Sequence, residues 1–358
     1  MDTGIDTQAK IHLRNDYSEG AHPRLLQALA QASGEANRGY GLDVHSERAA
    51  ALIRKRIGRD ADVHFLAGGT QTNMVALAAF LRPHEAVVAA ASGHIATHET
   101  GAIEASGHKV LTVDTPDGKL SPELIRPCLD VHAGEHMVKP RLVYISNTTE
   151  WGTLYSASEL AALGEFCRAR DLLLYVDGAR LASALTVPGN DLDFAGIAAQ
   201  VDAFYIGGTK NGALLGEALV IVNPALRGEF RHIIKQRGAM LAKGMVIGAQ
   251  FEALFDGDLY LELAAHANAQ AQRLREVVQR AGVTLAVDSP SNQLFPVLPH
   301  AVVERLQRHV EFETWERRGD GSTVIRLMTS WATQDAAIEA FAALLPTVLA
   351  ANGAVAGP

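Results

Sequence analysis

An α/β fold is predicted for this chain: a large, doubly wound, mostly parallel sheet domain followed by a small C-terminal α/β domain. Three observations predict it. Apolar strand-like runs alternate with segments of helical spacing from residue 63 to residue 222. From Leu226 onward long helical stretches dominate, and short strands return only after residue 283. With 358 residues, 48% apolar and 20% charged, the chain can bury a large core and split into two domains. The expected divisions are an N-terminal segment over 1–20, a large domain over 21–255, a small domain over 256–350 and a tail over 351–358.

Composition narrows the function. A net charge of −8 without a basic run argues against nucleic acid. Cys128 and Cys167 fall in expected helices, form no disulfide framework and suit a reducing compartment. The polar stretch Met1–Lys10 lacks the apolar core of a signal peptide. The longest apolar run, Phe341–Ala350, is broken by Pro346 and too short to span a bilayer. A cytoplasmic enzyme is expected. Fourteen histidines keep metal sites in play.

In order, residues 1–10 read as a loose arm. Leu13-Arg14-Asn15-Asp16-Tyr17-Ser18 is a short polar segment. A helix follows from Pro23, a favoured first helical residue, with Leu25, Leu26 and Leu29 on one side. Gly39-Tyr40-Gly41 is a turn whose aromatic either points into a site or pins the loop. Ser46–Ile57 has helical spacing and Gly58 stops it. Val63–Ala67 is a strand, and Gly68-Gly69-Thr70-Gln71-Thr72-Asn73 leads from it into an apolar helix that ends before Pro83. Such a turn makes an anion site, because backbone N–H groups and the helix dipole face the ligand. The plainer reading is a helix capped by Thr70. No Gly-Lys-Ser/Thr follows, so this is not a Walker loop.

Glu85–Ala91 is a buried strand. His94 then opens a helix expected to end near Gly107. His94 and His98 fall on one helix face at metal-ligand spacing, which is the rival reading of this region. It lacks the Glu directly after the first His that a zincin has, and no third ligand is marked. Otherwise His98 is a satisfied, partly buried histidine. Lys109–Asp114 is a strand, Leu120–His132 a helix started at Ser121-Pro122, and Arg141–Ser146 a strand. Ser156 and Glu159 form a capping box for a helix over 158–170.

Two stretches carry the chemistry. The apolar run Leu172–Val176 ends in Asp177-Gly178-Ala179-Arg180. A second run, Phe204-Tyr205-Ile206, ends in Gly207-Gly208-Thr209-Lys210-Asn211-Gly212. One crossover helix, about Asp193–Gln200, and one strand fit between them, so both side chains reach one edge of a parallel sheet. A lone loop lysine is ordinarily solvated. Beside a strand-end carboxylate it matches what pyridoxal 5′-phosphate (PLP) needs: an amine for the aldehyde and an acid against the pyridinium nitrogen. The glycine turn at Gly68 then takes the phosphate, and His94 stacks on the ring and handles protons.

Leu219–Val222 is a further strand. Helices follow over about 226–236, 246–255 and 258–281. The small domain has strands Thr284–Val287 and Leu294–Val297, a helix over 300–308, strands Glu311–Thr314 and Thr323–Met328, and a helix from Thr333. Arg326 is either an edge-strand arginine with its head in water or a clamp holding a substrate carboxylate by two parallel hydrogen bonds.

With these motifs placed, the chain resembles the fold-type-I PLP enzymes and, within them, the threonine aldolases of the β-eliminating lyase group. The resemblance implies that Lys210 forms the Schiff base, Asp177 faces the pyridinium, and Arg180 helps hold Asp177 or substrate. It implies Gly68, Gly69, Thr70 and Thr209 along the phosphate, His94 on the ring and Arg326 on the substrate carboxylate. Tyr40, and Lys243 as a basic contact, are expected from the neighbouring subunit of a dimer or tetramer with shared active sites. Two departures touch substrate preference: Asn15 stands where many relatives have Ser against the carboxylate, and Leu42 where they have an acidic residue. The expected reaction is PLP-dependent aldol cleavage of a β-hydroxy-α-amino acid to glycine and an aldehyde. The alternatives are a PLP-dependent β-eliminating lyase or aminotransferase, a metal hydrolase built on His94 and His98, and a non-catalytic PLP carrier.

Overall fold

A computed structural model describes residues 10–353. The expected loose arm, save Lys10, and residues 354–358 of the expected tail lie outside the described residues. In chain order the strands are β1 (Ile11–His12), β2 (Asp62–Leu66), β3 (Glu85–Ala90), β4 (Val110–Val113), β5 (Lys139–Ser146), β6 (Leu173–Asp177), β7 (Ala203–Gly207), β8 (Glu217–Ile221), β9 (Gln293–Leu294), β10 (Val297–Pro299), β11 (Val310–Glu311), β12 (Glu313–Arg317) and β13 (Ser322–Met328). The chain forms two compact units: Gly20–Ala265, and the stretch up to Glu19 together with the chain from His266.

In the larger unit a seven-stranded sheet runs β2-β8-β7-β6-β5-β3-β4. Only β8 is antiparallel to its neighbours; the other pairs are parallel. The continuous apolar runs of β3, β6 and β7 follow from this, since helices cover both faces of such a sheet. β7 and β8 are joined by a hairpin rather than a crossover, and the lysine turn is that hairpin.

Local chemistry sets the helix boundaries. Val44–Ile57 starts before the expected Ser46 because Asp43 caps it, its carboxylate accepting from the Ser46 N–H at 2.8 Å. The helix Gly69–Phe80 has Gly68, not Thr70, at its N-cap, with no side-chain cap. The helix expected from His94 to about Gly107 is two short pieces, His94–Thr97 and Ala102–Ala105. The first piece is capped by His98, and between the two pieces Thr100 and Gly101 take left-handed φ of 52° and 71°. The capping box at Ser156 and Glu159 is present. A short helix absent from the sequence reading, Leu181–Thr186, follows the Asp177 motif.

In the smaller unit β10, β13 and β12 form an antiparallel sheet with β9 also on β13, and β1 pairs β11. Arg326 therefore sits on a central strand, not the edge strand considered from sequence. The expected strand Thr284–Val287 is reduced to a single bridge, Leu285 to Pro296. The expected Leu294–Val297 strand divides at Phe295-Pro296, where Pro lacks the N–H a ladder needs. The last helix, expected from Thr333, runs Asp335–Gly353 and passes through Pro346. Ile338, Phe341, Leu345 and Val348 are buried along it, and that burial outweighs the lost backbone bond. Among the described residues no helix is long and apolar enough to cross a membrane.

Candidate active site

Neighbouring parallel strands β6 and β7 are in register at Val176 and Phe204, which puts Asp177 and the end of β7 at the same sheet edge. Lys210 follows three residues past β7, in the hairpin whose other side begins at Glu217, opposite Gly207. Two glycines permit this approach. A Cβ on Gly178 would lie 1.8 Å from the Tyr205 carbonyl oxygen. A Cβ on Gly208 would lie 2.7 Å from the Gly216 carbonyl and 2.9 Å from the Phe251 ring. The hairpin is closed by Gly208 and Thr209 N–H groups donating to the Gly216 carbonyl at 3.0 and 3.2 Å. Asn211 Nδ2 ties it to the Tyr260 carbonyl at 2.7 Å.

Asp177 is buried and surrounded by donors. Its Oδ2 accepts from the Tyr144 hydroxyl at 2.5 Å and Asn73 Nδ2 at 3.0 Å, its Oδ1 from the Ala179 N–H at 3.0 Å. Tyr205 donates as well. Burial pushes this carboxyl up, but the His94 charge and the hydrogen bonds of Tyr144, Tyr205 and Asn73 outweigh it, and the group stays below its ordinary value. The tyrosines occupy one face of adjacent strands, Tyr144 directly opposite Tyr175. Burial holds their hydroxyls well above the ordinary tyrosine value, so they remain donors.

A second buried carboxylate is linked to the first. Glu99 Oε1 accepts from Asn73 Nδ2 at 2.8 Å and lies 3.0 Å from His94 Nδ1. Tyr175 completes Asn73 by donating to its Oδ1 at 3.1 Å. Burial lowers the His94 pKa. The Glu99 bond and the charges of Glu150 and Asp177 outweigh this and raise it, with Lys210 opposing them. Asp177 and Lys210 therefore both lie within electrostatic range of His94. His98 is the C-cap of its short helix and exposed rather than partly buried, its ring 5.5 Å from that of His94. Among the described residues no group of three or more His, Cys, Asp or Glu is arranged to hold a metal ion.

The start of the Gly69–Phe80 helix faces open space: a Cβ on Gly68 would meet nothing within 4 Å. A Cβ on Gly69 would lie 3.0 Å from the Tyr205 hydroxyl, which ties this uncapped end to the Asp177 group. An uncapped helix start for an anion and a buried ionised carboxylate for a ring cation fit PLP. Buried Arg180 is the N-cap of the helix after Asp177. The Thr209 hydroxyl is engaged inside the hairpin, accepting from the Gly216 N–H at 3.1 Å.

Tyr40 has a φ of 65° and its ring lies 5.0 Å from Lys235 Nζ. It lines a cavity of about 360 Å³ with Leu42, Arg54, His64 and Arg231, to which Lys210, Asp177 and His94 do not contribute. Lys243 is exposed. In the smaller unit, Arg326 is buried, pairs with Glu313 and lies 4.9 Å over the Trp315 ring. Asn15 is buried and accepts from Tyr17 N–H at 3.0 Å and Ser18 Oγ at 2.9 Å.

Sequence reasoning missed Asn73, Glu99, Tyr144, Tyr205 and Glu217. A tyrosine recurring inside three apolar strands was the available signal for that layer, because a buried hydroxyl needs a partner. Glu217, at the head of an apolar strand, was another.

The sequence profile of the beta-eliminating lyase family matches residues 12–298. A low specificity L-threonine aldolase of a Pseudomonas species is 33% identical over 348 residues, covering 96% of this chain and all of that one. The solved threonine aldolase of Leishmania major superposes with a TM-score of 0.93 at 49% identity, covering 94% of this chain and 99% of that one. A Thermus thermophilus aspartate aminotransferase shares the fold at a TM-score of 0.72 and 17% identity, covering 95% and 91%.

Proposed function

The chain belongs to the beta-eliminating lyase family, and on that premise we propose that it cleaves β-hydroxy-α-amino acids to glycine and an aldehyde with PLP as cofactor. Substrates of the threonine, allo-threonine or phenylserine type suit this reading. The observation that supports it is a lysine hairpin and a buried, ionised aspartate at one edge of a parallel sheet, beside an uncapped helix start. The relatives named threonine aldolase favour it over transamination and β-elimination.

When bound, PLP supplies an electron sink for the pair released by the breaking Cα–Cβ bond. Lys210 supplies the amine that holds the aldehyde. Asp177 keeps the ring nitrogen protonated; a buried cation without its partner is disfavoured by about 3–5 kcal/mol. Tyr144, Tyr205 and Asn73 keep Asp177 ionised and aimed. Gly68, Gly69, Thr70 and Thr209 would line the phosphate, and Arg180 would support Asp177 or substrate. His94 would stack on the ring and would take the β-hydroxyl proton, with Glu99 fixing the imidazole. Arg326 is proposed for the substrate carboxylate on its motif and chemistry, and Asn15 and Tyr40 as further substrate contacts. Tyr40, Leu42, Val44 and Leu241 are exposed and apolar, which supports a face for self-association in a homodimer or homotetramer. The cytoplasm suits two free thiols.

Lys210→Ala tests the reading. The variant should lack the visible absorbance band given by PLP-loaded wild type and should release no glycine. Unchanged colour and turnover would refute it.

A further inference from the structure

We infer that Glu217 is a positioning residue for Lys210: its carboxylate, locked into the base of the hairpin, orients that amine and sets its affinity for a proton. The inference builds on the reading of Lys210 as the reactive amine. Glu217 opens β8 opposite Gly207 and is 4% exposed. Its Oε2 accepts from the Gly208 N–H at 2.9 Å. The Thr209 hydroxyl also donates to it, while accepting from the Gly216 N–H at 3.1 Å. One carboxylate therefore closes both arms of the hairpin, and its two donors, Gly208 and Thr209, are the two residues that immediately precede Lys210.

A neutral side chain of the same shape accepts the same two hydrogen bonds. Burying an ion instead costs several kcal/mol, so the turn alone does not account for a carboxylate here. The charge has a recipient, since the Lys210 ammonium lies within electrostatic range of Glu217. The other charged group near Glu217 is Asp177, and the buried hydroxyls of Tyr175, Tyr205 and Tyr260 also feel its charge. His94 lies within electrostatic range of Lys210. Burial pushes Glu217 up to about 7, against the Thr209 and Gly208 bonds and the Lys210 charge. Glu217 is thus ionised throughout the range where an amine gives up its proton.

The test is competitive acetylation of the full-length protein stripped of PLP, read by peptide mass spectrometry, with exposed Lys55 as internal reference. A nearby opposite charge shifts a partner by about one pH unit or more. Glu217→Gln should therefore raise the Lys210 to Lys55 labelling ratio about tenfold at pH values below the Lys210 midpoint. Glu217→Asp, which keeps the charge, should stay nearer the wild-type ratio. A folded Glu217→Gln protein with the wild-type ratio overturns the inference, as does equal acceleration in both variants. The labelling does not depend on PLP chemistry. Failure of the proposed function appears separately, as a PLP-treated wild type without a Lys210-dependent band.

Discussion

Replacing Glu99 by Gln should move the proton chemistry of His94 while leaving the fold in place. Glu99 Oε1 lies 3.0 Å from His94 Nδ1 and 2.8 Å from Asn73 Nδ2, and Oε2 is buried without a hydrogen-bond partner. Burial lowers the His94 pKa, and the Glu99 bond is the largest contribution opposing it. A hydrogen bond to a charged group contributes about 1.5–3 kcal/mol. At about 1.4 kcal/mol per pH unit, its loss shifts His94 down by about 1–2 units. The sign for stability follows. His94 is raised in the folded protein, so its contribution is complete below about pH 6.5 and is lost as pH climbs through the folded value. Glu99→Gln lacks that contribution. A base must be neutral to accept a proton, so the acid limb of kcat/KM for glycine release should shift to lower pH by the same amount. Nuclear magnetic resonance titration of the His94 ring measures the shift directly. A folded Glu99→Gln protein whose His94 titrates as in wild type would show that Glu99 does not support its charge.

Gly178→Ala forces a Cβ to within 1.8 Å of the Tyr205 carbonyl and must separate β6 from β7. A loss of about 3 kcal/mol or more is expected in denaturant unfolding, and a wild-type midpoint would contradict the close approach. Tyr144→Phe removes the 2.5 Å donor to Asp177 and should cost about 1–3 kcal/mol. PLP affinity, read by equilibrium dialysis, should fall about tenfold; unchanged affinity would show that Asn73 and Tyr205 suffice. His45 lies between Glu252 (2.5 Å) and Glu35 (2.9 Å), and these bonds outweigh burial and raise its pKa. Its stabilisation should be present below about pH 6.5 and fade as pH rises through the folded value, so His45→Gln should flatten the pH dependence of unfolding on that side.

Much of this protein was legible along the chain. Buried parallel strands must be continuous apolar runs, and their ends must carry the turn chemistry that opens to ligand, so Asp177 and Lys210 stood out. The Ser156 capping box and the Pro23 helix start were equally readable, because such signals act within a few residues. The interruptions were not. Left-handed backbone at Thr100 and Gly101 separates His94–Thr97 from Ala102–Ala105, and the passage through Pro346 depends on tertiary burial.

The partners lay further still from sequence reach. Asn73 bridges Glu99 and Asp177 because strand order and register bring together residues 26 and 104 positions from it. Glu217 meets the lysine turn because β8 returns antiparallel, a choice no local spacing encodes. Periodicity and turn chemistry are properties of neighbours in the chain, and they singled out the residues proposed to bear the reactive groups. The environments that charge those groups depend on contacts between distant segments, and only the folded sheet decided them.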